Sequence, residues 1–88
     1  MMKEETIVQV AKVLETWNPL GEAANSVEQL DGYRTEAIDI ISTTNIIFGR
    51  ENVERAVEGV LTQAFEIELN SSELAQAAKE IGNLLDLE

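Results

Sequence analysis

The chain has 88 residues, of which 44% are hydrophobic and 26% are charged, and its formal net charge at pH 7 is -11. This length suits a single domain over residues 1–88, and the apolar content is sufficient for a core, which argues against disorder. Seventeen Asp and Glu against six Lys and Arg exclude nucleic acid as an expected partner, because phosphates repel such a surface, whereas a basic protein surface would be attracted to it.

The N-terminus and the cysteine content together predict a cytoplasmic protein. The sequence contains no Cys, so it has no disulfide framework and is compatible with a reducing compartment. Residues 1–5 lack a basic region followed by an apolar stretch, and no run approaches the ~18 apolar residues of a spanning helix. We therefore expect no membrane association.

The first predicted helix covers Glu4–Trp17 and has one apolar stripe. Asn18 ends it, because a residue before proline, here Pro19, is pushed out of the helical region. At the end of the stripe the indole of Trp17 is expected to be buried against the start of the second helix, near Tyr33 and Ala37. The stripe positions at helical spacing are Ile7, Val10, Ala11, Leu14 and Trp17.

The second predicted helix follows a loop over residues 19–31, in which residues 26–30 could form one helical turn. Asp31 is expected to be its N-cap, because the carboxylate could accept from otherwise unpaired backbone amides. Gly49 is expected to end the helix as a left-handed residue after the C-cap. The inward positions at helical spacing are Tyr33, Ala37, Ile40, Ile41, Thr44, Ile47 and Phe48.

The third predicted helix begins near Arg50 or Glu51 and has the most regular apolar pattern of the chain. Glu51 and Arg55 form a favourable i, i+4 pair on its outer face. Gly59 lies on the polar face, at a cost of about 1 kcal/mol relative to Ala, which indicates either a close approach of another helix or no structural requirement. The inward positions are Val53, Ala56, Val57, Val60, Leu61, Ala64 and Phe65.

The start of the fourth predicted helix is marked by a capping box. Residues 70–73 are Asn-Ser-Ser-Glu, and Leu69 and Leu74 occupy the positions of a hydrophobic staple. The preceding residues 66–69 alternate like a strand, but a single short segment cannot form a sheet. This helix has one narrow apolar stripe, Leu74, Ala78, Ile81 and Leu85, with Ala77 and Leu84 beside it.

These elements predict an all-α fold. Four amphipathic segments with mostly brief connections favour a small antiparallel bundle of four short helices, three long and a C-terminal one. Three helices with a short fourth are the nearest alternative.

Two segments between the first and second helices are the most distinctive of the chain: Trp17, Asn18, Pro19, Leu20 and Gly21, then Asp31, Tyr33 and Glu36. Phe65 follows later, and then an Ala-rich last helix. On these residues the chain resembles the YugE-like domain family of unknown function, small bacterial proteins with a Trp-(Asp or Asn)-Pro-(Ile or Leu)-Gly turn and an Asp-x-Tyr-x-x-Glu helix start. It departs from the pattern at Arg34, where the family has an acidic residue. The resemblance implies an all-helical fold and supplies no substrate, cofactor or catalytic residue.

Most catalytic chemistry is excluded by composition. With no His and no Cys, the chain has no catalytic triad, no Cys-His pair and no imidazole or thiolate metal site. The glycines are isolated, so there is no phosphate loop. Glu54 and Glu58 lie at i, i+4 outside the apolar stripe and are expected to be solvated, whereas acid–base catalysis needs a sheltered carboxyl. We expect no enzyme, no cofactor and no metal.

The motif residues have two interpretations. In the structural one, Trp17 and Tyr33 cover one end of the bundle while Asn18 or Glu36 bonds the loop amides. In the functional one, the same end binds a partner, because Trp and Tyr are favoured binding anchors. The candidate residues for either role are Trp17, Asn18, Pro19, Leu20, Gly21, Asp31, Tyr33 and Glu36.

The leading functional hypothesis is a non-enzymatic protein-binding module, immunity or inhibitor-like, that caps a basic protein partner. The alternative is a structural or oligomeric accessory subunit, in which further apolar residues build a homo-oligomer surface. The apolar residues of that surface would be Val8, Val13, Ile38 and Ile46. An acyl-carrier-like protein is disfavoured because Asp31 is followed by Gly32 and not by the serine that carries phosphopantetheine.

Overall fold

The structure, a computed structural model, describes residues 3–22, 31–49 and 52–86. In these ranges four α-helices follow one another: α1 Glu4–Trp17, α2 Arg34–Thr43, α3 Val53–Phe65 and α4 Ser71–Asp86. Helical conformation covers 86% of the described residues, which contain no strand. The prediction of an all-α bundle of four short helices is therefore confirmed.

The helices pack in a ring in which α1 contacts α2 and α4, and α3 contacts the same two helices from the opposite side. Neighbouring helices run antiparallel. Tyr33, just before α2, meets Asn18 at the end of α1 and Phe65 at the end of α3. Val53 at the start of α3 lies near Gly82 in the last part of α4. The brief connection between α3 and α4, residues 66–70, favours this arrangement, because a short connection places successive helices side by side.

The core consists of the predicted apolar stripes, with a few differences at their edges. Trp17, Val60 and Phe65 are half-buried against the core, and Ala64 is exposed because Phe65 completes the inward face of α3 at this end. The side chains of Ile47 and Phe48 are not among those that the structure describes. The buried apolar side chains are Ile7, Val10, Leu14, Tyr33, Ala37, Ile40, Ile41, Val53, Ala56, Val57, Leu61, Leu74, Ala77, Ala78, Ile81 and Leu85.

The start of α2 differs from the prediction. Tyr33, and not Asp31, occupies the N-cap position, and a short 3-10 turn, Asp31–Tyr33, precedes the helix. Gly32 and Tyr33 both have positive φ, +61° and +64°, so the α-helical path cannot begin before Arg34. The side chain of Asp31 lies outside the described residues.

The end of the second helical segment also contains a feature that periodicity did not predict. After Thr43 the backbone continues as a π-helical turn, Thr44–Phe48, and Gly49 is its C-cap. Gly49 has a φ of +77° but an extended ψ of 166°, so it ends the segment as expected without adopting the left-handed helical conformation. Its N–H donates to the carbonyl of Thr44 at 2.6 Å.

The starts of the last two helices give one correction and one confirmation. α3 has Asn52 as its N-cap, so its start near Arg50 or Glu51 was predicted too early; those two residues, and with them the Glu51–Arg55 pair, lie outside the described ranges. α4 begins directly after Asn70, whose Oδ1 accepts from the N–H of Glu73 at 3.0 Å. Asn70 therefore acts as the predicted cap. The carboxylate of Glu73, which would complete the capping box, accepts from the indole of Trp17 instead.

Candidate functional site

The turn after α1 is held by hydrogen bonds around the buried Tyr33. The phenol oxygen donates to Oδ1 of Asn18 at 2.8 Å and accepts from the N–H of Leu20 at 3.4 Å. Nδ2 of Asn18 donates to the carbonyl of Gly21 at 3.3 Å. Burial raises the pKa of the Tyr33 phenol, so it stays a neutral hydroxyl that can both donate and accept.

Four of the candidate residues therefore form one internal unit, which we call the Tyr33 lock: Asn18, Leu20, Gly21 and Tyr33. Asn18 sits in the left-handed region, with φ 51° and ψ 63°, which asparagine tolerates better than most residues. It was expected to bond loop amides; instead its amide group bonds a carbonyl and a hydroxyl, and the phenol receives the loop amide. The half-buried Pro19 lies between Asn18 and Leu20.

Trp17 has a different neighbour from the one expected. Its side chain is half-buried, and Nε1–H donates to Oε1 of Glu73 on α4 at 2.8 Å. Most of the indole is covered by the core, as predicted, but its N–H points to α4 and not to the start of α2. The indole N–H needs an acceptor, and the carboxylate of Glu73 on α4 provides one at this end of α1.

Trp17 borders a groove of about 720 Å³ between α1 and α4. Val13 and Leu84 are half-buried and Ala77 is buried, and together with the indole they give the groove apolar walls. The groove lies open to solvent between two helices that run antiparallel. On α1 it extends over residues 9–17 and on α4 over residues 72–84.

The two sides of the groove carry different charges. On α4 its lining includes Glu73 and Glu80, both exposed, and on α1 it includes the exposed Lys12. The two glutamates are seven residues apart, which is about 10 Å along the helix axis. The rim is therefore acidic on α4 and basic at one point on α1, while the chain as a whole carries a charge of -11.

Glu36 lies away from this groove, on the buried side of α2. The residue is only 9% exposed, and its Oε1 has no hydrogen-bond partner among the described residues. Burial raises the pKa of this carboxyl, and the nearby Asp39 raises it further. The expectation that Glu36 bonds the loop amides after α1 is not met within the described chain.

An ion pair joins the starts of α1 and α2. Arg34 donates through both terminal nitrogens to Glu4, at 2.5 Å for each bond. The guanidinium lowers the pKa of the Glu4 carboxyl. Arg34, the residue that departs from the YugE-like pattern, thus has a structural function here.

No group of three or more Asp and Glu side chains that could hold a metal ion occurs in residues 3–22, 31–49 and 52–86. Glu54 and Glu58 are exposed on α3, as predicted. None of the helices in these ranges is long and apolar enough to cross a membrane.

The structure thus divides the candidate motif. Trp17 lines the α1–α4 groove and the Tyr33 lock fixes the turn. Glu36 lies on α2, away from the groove but close enough to Tyr33 for its charge to raise the pKa of the phenol. Sequence reasoning missed Glu73 as a partner of the indole and missed the groove itself. One signal was available: Val13, Ala77 and Leu84 stand beside the main stripes, and such positions become a second apolar face where two helices meet.

Comparison of the chain with protein-family models, with curated proteins and with solved structures gives no match. The resemblance to the YugE-like family therefore stays a prediction from the motif residues.

Proposed function

We propose that this chain is a non-enzymatic protein-binding module, immunity or inhibitor-like, that binds a partner with a basic surface. The observation that carries the proposal is the position of the chain's one Trp: Trp17 is half-buried at the mouth of an apolar groove on a strongly acidic molecule. Indole groups are frequent anchors of protein interfaces, since they combine a large apolar area with a polar N–H.

The charge supports the same kind of partner. Long-range attraction between an acidic and a basic surface speeds encounter and disfavours acidic competitors. The composition, without His or Cys, fits binding better than catalysis, and the absence of Cys together with the YugE-like resemblance suggests the bacterial cytoplasm as the place of action.

Self-association as an accessory subunit has less support. Val8 is 52% exposed and Ile46 is 81% exposed, but they belong to different elements, and apolar residues exposed singly are normal on soluble proteins. Val13 faces the groove between α1 and α4.

The proposal is tested by affinity purification of the tagged protein from cells of its source, identification of the proteins recovered, and calorimetry with each of them after purification. We expect a stoichiometric protein whose Kd rises steeply between about 50 and 300 mM NaCl, because salt screens exposed charges. Recovery of no protein that binds in calorimetry, or binding that salt does not affect, would contradict the proposal.

A further inference from the structure

We infer that the α1–α4 groove binds an amphipathic helix of the partner, about 8 to 12 residues long, with basic residues at i and i+7 along one edge. This inference rests on the proposed protein-binding function and specifies its site and ligand.

The dimensions of the groove set the length of the occupant. The α1 side extends over residues 9–17 and the α4 side over residues 72–84, which at 1.5 Å per residue corresponds to about 12 to 18 Å. A helix of two to three turns has this length. It would lie along the groove as a further member of the bundle, with its apolar stripe on Val13, Ala77 and Leu84.

The backbone of the groove favours a helix over an extended peptide. Both sides are α-helices, whose N–H and C=O groups are already bonded within each helix, apart from the ends. An added strand needs free main-chain groups to pair with, and the lining residues belong to no sheet edge. A helix brings its own backbone hydrogen bonds and contributes only side chains.

The charges specify which helix. Glu73 and Glu80 are exposed on the α4 side, two turns apart, so Lys or Arg residues seven apart on the ligand would meet one glutamate each. Glu73 bonds the indole through Oε1, and its second carboxylate oxygen can accept from the ligand. Lys12 on the α1 side favours an acidic or neutral residue on the other edge, and this asymmetry fixes the direction in which the helix lies.

The inference is tested with a synthetic peptide of about 12 residues, with a Leu stripe and Lys at i and i+7 but without aromatic residues. Trp17 is the chain's one Trp, so its fluorescence reports binding in the groove directly. There are two control peptides. The first has the same composition in an order that does not form an amphipathic helix, and the second has Glu in place of Lys. Two protein variants make the same charge change: Glu80→Lys in the groove and Glu58→Lys on the exposed side of α3.

We expect the cationic amphipathic peptide to shift the Trp17 emission to shorter wavelength and to bind more tightly than either control peptide. Glu80→Lys should raise its Kd at least about threefold more than Glu58→Lys, because reversing a rim charge acts locally in addition to changing the net charge.

Three results would overturn the inference. If the reordered peptide binds equally well, or if the two variants weaken binding equally, the peptide is bound by the overall charge of the protein and not by the groove. A dimer in sedimentation equilibrium that the peptide dissociates would assign the groove to a second copy of this chain.

If an identified partner binds in calorimetry without competing with the peptide, the helix assignment fails and the protein-binding function stands. If neither the peptide nor any protein binds, both fail.

Discussion

At the scale of single residues, the turn after α1 depends on one hydroxyl group. The phenol of Tyr33 links the side chain of Asn18 to the backbone of Leu20, and the ring packs edge-on against Phe65 with centroids 6.3 Å apart. Tyr33 of the Asp-x-Tyr segment thus forms one structural unit with Asn18 and Leu20 of the Trp-Asn-Pro-Leu-Gly segment.

Tyr33→Phe should lower the free energy of unfolding by about 1 to 2 kcal/mol, because it leaves the backbone N–H of Leu20 and the side-chain Oδ1 of Asn18 without their partner. Urea denaturation measures the loss. A double-mutant cycle with Asn18→Gly, which tolerates the left-handed conformation, should give a coupling of about 0.5 to 1.5 kcal/mol. Additive effects would mean that the bond between the two side chains has no role in stability.

Two glycines should respond oppositely to alanine. At Gly59, inside α3, an added Cβ meets no atom within 4 Å, so Gly59→Ala should stabilise the protein by about 0.5 to 1 kcal/mol through helix propensity. The close approach of another helix, one of the two explanations open from sequence, is thereby excluded. At Gly32 the φ is +61°, a conformation that strains a residue with a Cβ, so Gly32→Ala should destabilise the protein. The exposed carboxylate of Glu15, 2.7 Å from the added Cβ, can move aside. Equal shifts in Tm for both would contradict this account.

Glu36 should make stability decrease with pH. Its carboxyl holds a proton more tightly in the folded protein than in the unfolded chain, so the free energy of unfolding falls as pH rises from the ordinary pKa of about 4.5 through the raised one. The Glu36→Gln variant has no carboxyl at this position and so lacks this pH dependence. Its free energy of unfolding relative to wild type should therefore increase from acid to neutral pH.

Glu4 acts with the opposite sign, since its lowered pKa adds stability as pH rises; because it is present in both proteins, it cancels in the comparison. Urea denaturation of wild type and Glu36→Gln at a series of pH values measures the difference. A difference that stays constant with pH would contradict the assignment.

At the scale of elements, the helices and most of the core could be predicted from the helical spacing of the apolar residues alone. α1 and α4 have the predicted starts and the end of α1 is as predicted, because Pro19, Asn70 and the apolar spacing are local signals. The start of α2 could not be predicted, because the positive φ of Tyr33 is stabilised by bonds to Asn18 and Leu20, which are distant in sequence.

The environment of Trp17 was missed for a related reason. A residue at the end of a stripe can turn to either neighbouring helix, and the choice is made by Glu73, 56 residues further along the chain. The π-helical turn Thr44–Phe48 likewise has no local sequence signal. Contacts between distant residues therefore account for most of what the sequence could not show about the candidate site.

Trp17→Ala should cost about 3 kcal/mol. Most of the indole is covered and packs against the core, so roughly 130 Å² of buried apolar surface is lost at about 25 cal/mol per Å². This is the lower end of the range of about 3 to 5 kcal/mol for a large core aromatic residue, which the sequence alone suggested. Urea denaturation followed by circular dichroism measures it. A loss above about 4 kcal/mol would mean that the indole belongs to the core, and no loss would mean that it is free of α4.

At the scale of the whole molecule, the proposed binding combines the acidic surface with the α1–α4 groove. The net charge of -11 would attract a basic partner over a Debye length of about 10 Å, but it would not select one face of the bundle. In the proposal the groove between α1 and α4 makes that selection, because it joins Trp17 and apolar walls to the glutamates of α4. The Tyr33 lock acts beside it by fixing the turn that follows Trp17.

The most direct measurement of the central claim is the amide chemical-shift map of the isotope-labelled protein during titration with the cationic amphipathic peptide. The expected result is a set of large, saturable shifts in residues 9–17 and 72–84, together with the indole N–H of Trp17, while α2 and α3 change little. Shifts centred on α2 or α3, or spread evenly over all acidic surfaces, would contradict the claim that the α1–α4 groove is the binding site.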